Sequence, residues 1–161
     1  MAATRQIAAI ELTRTAQGRR DAARIWARAT AVRNGRADLL DDVDRALAGI
    51  DAQLALPDAG LHLARRNGLP IGFVLLVPLG TTLHVGRLAV DPSHWDEGVE
   101  NDLLAHVEKH ARMLDFTTID LWVVADDGAA ITRYTAAGFR ATTDVRDVAG
   151  RLQRRLELVL Y

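Results

Sequence analysis

The chain has 161 residues, a formal net charge of −1 and no cysteine. This length suits a single domain, spanning 1–161, with its own core. The lack of cysteine excludes disulfides, thiolate metal sites and a cysteine nucleophile, and the balanced charge argues against the basic field of a nucleic-acid binder.

No apolar run approaches the ~20 residues of a membrane span. The longest, Ile71 to Leu79, includes Gly72 and Pro78 and has strand length. Met1 to Ile10 lacks the apolar block and cleavage site of a secretory signal. A cytoplasmic protein, attached to neither membrane nor nucleic acid, is expected.

Ile7 to Thr13 alternates as a first strand. A helix follows over Gly18 to Asn34, with Ala22, Ile25, Trp26, Ala29 and Val32 as its apolar stripe, and Asn34-Gly35 stops it. A second helix runs from about Leu39 to Leu54. Val43, Leu47, Ile50 and Leu54 share one face, and Asp38, Asp41, Asp42 and Asp44 crowd its positive end. Leu61 to Arg65 and Leu69 to Val77 form a hairpin around Asn67-Gly68, a pair suited to the positive φ angles of a type I′ turn.

Leu83 to Val90 is the next strand, ended by Asp91-Pro92. Gly98 to Leu114 is an amphipathic helix carrying Val99, Leu103, Leu104, Val107, Ala111 and Leu114 on its apolar side. Ile119 to Val124 is apolar enough for a buried strand. Gly128 to Ala137 is a short helix stopped by Gly138, and Arg140 to Val145 and Leu152 to Leu160 are a final strand pair. The pattern predicts an α/β (α+β) fold: a mixed central sheet of six to seven strands flanked on both faces by about four helices.

Two phrases are specific. Leu88-Ala89-Val90-Asp91-Pro92 ends a strand and is followed by Trp95-Asp96-Glu97-Gly98-Val99-Glu100 at a helix start. Further on stands Asp127-x-x-Ala130-x-x-x-Tyr134-x-x-x-Gly138-Phe139. In both phrases the chain resembles the GNAT superfamily of N-acetyltransferases, with aspartate in place of asparagine at position 127. The resemblance implies a GNAT-like fold, acetyl-CoA as co-substrate, and acetyl transfer to a primary amine of a small molecule or peptide.

It also implies a site. Leu88, Ala89 and Val90 would offer main-chain groups to the pantetheine arm. Trp95, Asp96, Glu97, Gly98, Val99 and Glu100 would form the pyrophosphate loop, and Asp127, Ala130 and Tyr134 would complete the cofactor wall. Tyr134 would protonate the departing thiolate, since a phenol of pKa ~10 can serve a thiol of ~8–9. The strand position at which family members often carry a glutamate base holds Gly86 and Arg87 here. His84 is the alternative catalytic base, and alternation puts it on the face of Gly86 and Leu88, opposite Arg87. Arg87 reads as an anion site for substrate or as a surface cation.

The loop departs from the family pattern. It keeps one glycine, has tryptophan where arginine or glutamine is usual, and adds Asp96, Glu97 and Glu100. Carboxylates beside a pyrophosphate repel it, by roughly a few kcal/mol per close pair at an effective dielectric of ~20. Two further readings therefore stand beside the transferase. One is a degenerate, non-catalytic GNAT-like module that binds a ligand or protein partner. The other is an enzyme of different chemistry on the same scaffold.

His106 and His110, with Asp102 a turn earlier, have metal-ligand spacing, but no fourth ligand is in view and no metal site is expected. Arg151, Arg154 and Arg155 read as solubility and edge protection in preference to holding an acidic substrate or the cofactor's 3′-phosphate. Trp26 and Trp122 read as core, and Trp95 as an exposed loop residue able to stack on a ligand or plug the cleft. A homodimer through sheet edges or the C-terminal strands is compatible with this arrangement.

Overall fold

The computed structural model describes residues 5–36 and 40–161. Asp38 and Leu39, assigned above to the start of the second helix, lie outside the described residues, as do the first four residues. The strands are β1 (Ala9–Thr13), β2 (Gly60–Arg66), β3 (Leu69–Leu79), β4 (Thr82–Val90), β5 (Thr118–Val124), β6 (Arg140–Val148) and β7 (Arg151–Val159). The helices are α1 (Ala16–Arg33), α2 (Leu40–Leu54), α3 (Val99–Met113) and α4 (Gly128–Ala136). The sheet order is β1-β2-β3-β4-β5-β7-β6. All neighbours are antiparallel except β4 and β5.

Local chemistry fixes most boundaries. Thr15 caps α1, its hydroxyl accepting from the Gly18 amide, so the helix starts two residues before the sequence suggests. Asn67 at φ 53° and Gly68 at φ 78° make the hairpin turn in the left-handed region, as a type I′ turn requires.

Two cores lie on opposite faces. Ile25, Ala29 and Ile50 from α1 and α2 pack on Leu63, Phe73 and Leu75. Leu103 and Val107 from α3, with Tyr134 from α4, pack on Val74, Leu83, Ile119 and Leu156. Each fully buried side chain of leucine size contributes ~1.5–3 kcal/mol. Val32, expected on the buried stripe of α1, is 53% exposed. The buried side of α1 instead includes Ala23, Ala27 and Ala31, small residues that let the helix pack closely against both α2 and the sheet.

The arginine-rich β7 is not an edge strand, because it lies between β5 and β6. Its arginines are therefore not edge protection. Arg155 donates to Asp120 at 2.6 Å, and Arg154 donates to the Thr142 carbonyl. Trp122 is only half-buried and carries the Arg146 guanidinium 4.3 Å above its ring, so it belongs to the polar side of the sheet. Among the described residues, no helix is long and apolar enough to cross a membrane.

His106 and His110 are half-buried and turn towards the sheet. They close over His62 of β2, which is buried and lies 3.0 Å from His106 through its Nδ1. Asp102 takes no part, because Arg5 pairs with it at 2.6 Å. Among the described residues, no group of three or more His, Asp or Glu has metal-holding geometry.

Burial, then the charges of His106 and His110, push His62 down to about 4. The unfolded chain, with histidine near ~6.5, then binds the proton more readily than the native state. Stability is therefore full above pH ~6.5 and is lost as pH falls towards ~4, by about 2 kcal/mol after allowing for solvent screening. Urea midpoints measured between those pH values check this, and His62→Asn should flatten the slope.

Candidate active site

β4 and β5 pair only over Thr82–Thr118, Leu83–Ile119 and His84–Asp120. Beyond that point the strands diverge, and a cleft of about 550 Å³ opens between Val85–Leu88 and Leu121–Val124. The cause lies in β4. Leu76 pairs with Val85 but Leu75 pairs with Arg87, so Gly86 is an extra residue, a bulge that bends the strand. The main-chain edge of β4 that faces β5 is thereby left without a strand partner through Leu88, Ala89 and Val90, and the Val90 carbonyl is taken by a side chain of the following loop.

α4 forms one wall. Asp127 caps it, its carboxylate accepting from the Ala130 amide at 3.1 Å. Asparagine could make the same bond, so the aspartate conserves the cap. Tyr134 packs edge-on against Phe139, with centroids 5.7 Å apart. Although only 9% exposed, Tyr134 lines the cleft together with Asp127 and Ala130. Among the described residues its hydroxyl has no hydrogen-bond partner, yet it is not sealed: the buried, unpartnered side-chain atoms among them are Asp42 Oδ2 and Arg66 Nε. Burial, then the charge of Glu100, raises the phenol above its ordinary value. It is a neutral proton donor throughout the physiological range.

The acidic loop differs from its expected electrostatics. Pro92–Glu97 is a 3-10 turn, and Gly98 at φ 76° starts α3 with no side-chain cap. Glu97 turns to Arg66 and His94. The His94 hydrogen bond, working against burial and aided by Arg66, holds its carboxyl below the usual range. Glu100 pairs with Arg133 at 3.4 Å. Arg5 donates to the Glu97 and Gly98 carbonyls besides pairing with Asp102. Trp95 neither plugs the cleft nor lines it: its indole donates to the Val90 carbonyl at 2.7 Å.

Positive charge reaches the cleft from elsewhere. Its lining holds four arginines, Arg33, Arg87, Arg133 and Arg151, against two aspartates, Asp126 and Asp127. Arg33 and Arg133 are absent from the site expected on sequence, and Arg151, expected at a strand edge, lines the cleft. Arg133 had a signal, since it adjoins Tyr134 within the second phrase. Arg33 had none, because it arrives from the end of α1, and Arg151 arrives from the start of β7.

The bulge also changes the placement of His84. Leu83 and Val85 face α3, as do Leu88 and Val90. Arg87 faces α1 and α2. His84, alternating with Leu83 and Val85, therefore shares the side of Arg87 and opposes Leu88, the reverse of simple alternation. It sits at the apex of the wedge, Nδ1 2.7 Å from Asp120, outside the cleft lining. Burial alone would raise the Asp120 carboxyl, but hydrogen bonds from His84 and Arg155 outweigh it and lower it.

The structure thus brings Leu88, Asp127, Ala130 and Tyr134 together around the cleft. Ala89 and Val90 continue the open strand edge, and Gly98, Val99 and Glu100 lie at the adjoining helix start. Asp96 and Glu97 border a separate shallow depression with Arg5 and Arg66.

Residues 20–139 match the model of the acetyltransferase (GNAT) family. Among curated proteins, none matches the chain by sequence. Solved structures resemble it closely in fold. The ribosomal-protein-S18-alanine N-acetyltransferase of Escherichia coli superposes with a TM-score of 0.74 at 18% identity, covering 95% of this chain and 94% of that one. The PaiA N-acetyltransferase of Thermoplasma acidophilum, in complex with coenzyme A, gives 0.70 at 16% identity, covering 94% and 99%. A Bacillus subtilis acetyltransferase in complex with CoA gives 0.65 at 19% identity, covering 96% and 99%.

Proposed function

The chain belongs to the acetyltransferase (GNAT) family, and from that membership we propose that it transfers an acetyl group from acetyl-CoA to a primary amine of a small molecule or peptide. The observation that carries this reading is the open wedge beside β4, with the Tyr134 phenol lining it. The cleft suits acetyl-CoA on three counts: an unpaired strand edge, an uncapped start of α3, and an arginine-rich lining. The acidic loop had favoured a non-catalytic module. With Glu97 and Glu100 both paired to cations, that objection loses most of its force.

When bound, acetyl-CoA supplies the activated thioester. The protein's part is positioning and proton management. The main chain of Leu88, Ala89 and Val90 orients the pantetheine arm, and amides on this edge polarise the thioester carbonyl. Arg33, Arg133 and Arg151 balance phosphate charge. Tyr134 holds at its hydroxyl the proton that the departing sulfur takes. Burial keeps the phenol protonated until the sulfur departs, and desolvation shifts the pKa of a departing thiol in the same upward direction. The amine loses its proton to water or to the His84–Asp120 pair.

The first test is a melting curve with acetyl-CoA. Ligand at 100-fold its dissociation constant adds about 2.7 kcal/mol, which raises Tm by roughly 5–10 °C in a domain of this size. Glu100→Gln should enlarge the shift at a fixed subsaturating dose, and Glu97→Gln should not. No shift up to millimolar acetyl-CoA defeats the proposal.

A further inference from the structure

We propose that the acceptor is an amine that also carries a carboxylate, and that Arg87 is the residue that binds the carboxylate. This inference rests on the transferase reading above and narrows its substrate class.

Arg87 stands directly after the bulge residue, on the wall of the cleft. Its guanidinium lies 4.6 Å above the Trp26 ring. Its Nε donates to Gln53 Oε1 at 2.6 Å, and Gln53 in turn donates to the Gly86 carbonyl at 3.4 Å. The bulge, the glutamine and the indole therefore fix one orientation of the cation. Helix α2 has a glycine where it passes this group: a Cβ on Gly49 would sit 2.4 Å from Arg87 Nη2.

The charge of Arg87 is unmatched. No carboxylate of the described residues lies within 4.0 Å of its guanidinium, and neither terminal nitrogen has a protein acceptor among them. Arg146 of β6 repeats the arrangement, stacked over Trp122 and bonded to Gln153, but it is exposed where Arg87 is half-buried. Arg155 and Arg66, half-buried like Arg87, find carboxylates: Arg155 meets Asp120, Asp144 and Glu157, and Arg66 meets Glu97. A half-buried guanidinium without a counter-charge is costly, and stacking on an indole offsets only part of that cost. Burial lowers its affinity for its proton, as expected for a cation short of partners.

Arg87 borders two spaces, with Nη2 close against Gly49 of α2. They are the main cleft and a cavity of about 260 Å³ between α1 and α2, lined by Trp26, Thr30 and Ala46 and by Arg36, Asp42 and Arg45, in which Asp42 pairs with Arg36 and Arg45. The planar fork of a guanidinium accepts a carboxylate in bidentate fashion. A small amino acid, an amino-alkanoate or a short peptide supplies that group near its amine. A polyamine or other polycation does not, and it meets a like charge at the bulge.

The test uses matched probes. Wild-type protein with saturating acetyl-CoA is offered glycylglycine against glycylglycinamide, 4-aminobutyrate against its amide, and putrescine. Release of CoA is read with a thiol reagent, which meets no cysteine in this chain. At least one carboxylate probe should exceed its amide in kcat/KM by ~10-fold or more, since losing a charged hydrogen bond in a built site has that effect. Arg87→Gln should erase the ratio mainly through KM, and Arg87→Lys should keep part of it.

Equal use of amides or preference for putrescine overturns the inference. So does a ratio that survives Arg87→Gln, or a defect of that variant in acetyl-CoA binding alone. If Arg87→Gln does not fold, the wild-type ratios and Arg87→Lys still decide. Acetyl-CoA binding without acetylation of any carboxylate probe sinks the acceptor class and leaves the cofactor assignment standing. Absence of acetyl-CoA binding sinks the transferase reading, and this inference with it.

Discussion

Tyr134→Phe should lower kcat by ~10²–10⁴-fold, the usual contribution of a positioned general acid, while leaving acetyl-CoA affinity within about twofold. The substitution removes one oxygen. That oxygen makes no hydrogen bond to the described residues, and the ring keeps its edge-on contact with Phe139. Stability should therefore change by less than ~0.5 kcal/mol, which separates a lost proton from a lost fold. The phenol is raised by burial and by Glu100, so wild-type turnover should not fall through the ordinary phenol range near pH ~10 on account of this group. Turnover of Tyr134→Phe equal to wild type, with acetyl-CoA still bound, would remove Tyr134 from the reaction.

The other large effect is structural. Phe73, at the middle of β3, is fully buried and meets Trp26 at a centroid distance of 6.3 Å. Phe73→Ala should cost ~3–5 kcal/mol, the lost transfer energy plus the cavity left behind, against a typical native stability of ~5–15 kcal/mol. Tm should fall by roughly 10 °C or more. Phe73 also backs the indole on which Arg87 rests. At a temperature where the variant stays folded, its discrimination between carboxylate and amide probes should therefore weaken while Tyr134-dependent turnover persists. A loss below ~1 kcal/mol by urea titration would show that the α1–sheet contact repacks without it.

Much of this was legible in the chain. The hairpin at Asn67-Gly68, the amphipathic α3 and the phrase from Asp127 to Phe139 are each decided by residues a few positions apart. Local periodicity and turn chemistry carry that information, and the element order followed from it. The acidic loop was read correctly as a sequence and incorrectly as an electrostatic field. Glu97 finds Arg66 at 31 residues' separation, and Glu100 finds Arg133 at 33. No window of neighbouring residues contains those pairs.

The sequence by itself determined the family's layered scaffold, the strand before the loop and the placement of Tyr134 on a capped helix. Only the tertiary structure decided which residues share a face of β4, because a single extra residue at Gly86 shifts the phase of alternation without changing the composition. It alone decided the sign of the cleft, because Arg33, Arg133 and Arg151 converge there from three elements distant in the chain. Short-range order is written in neighbouring side chains. Charge pairing and strand register are settled by packing across the sheet, where partners are chosen by proximity in space.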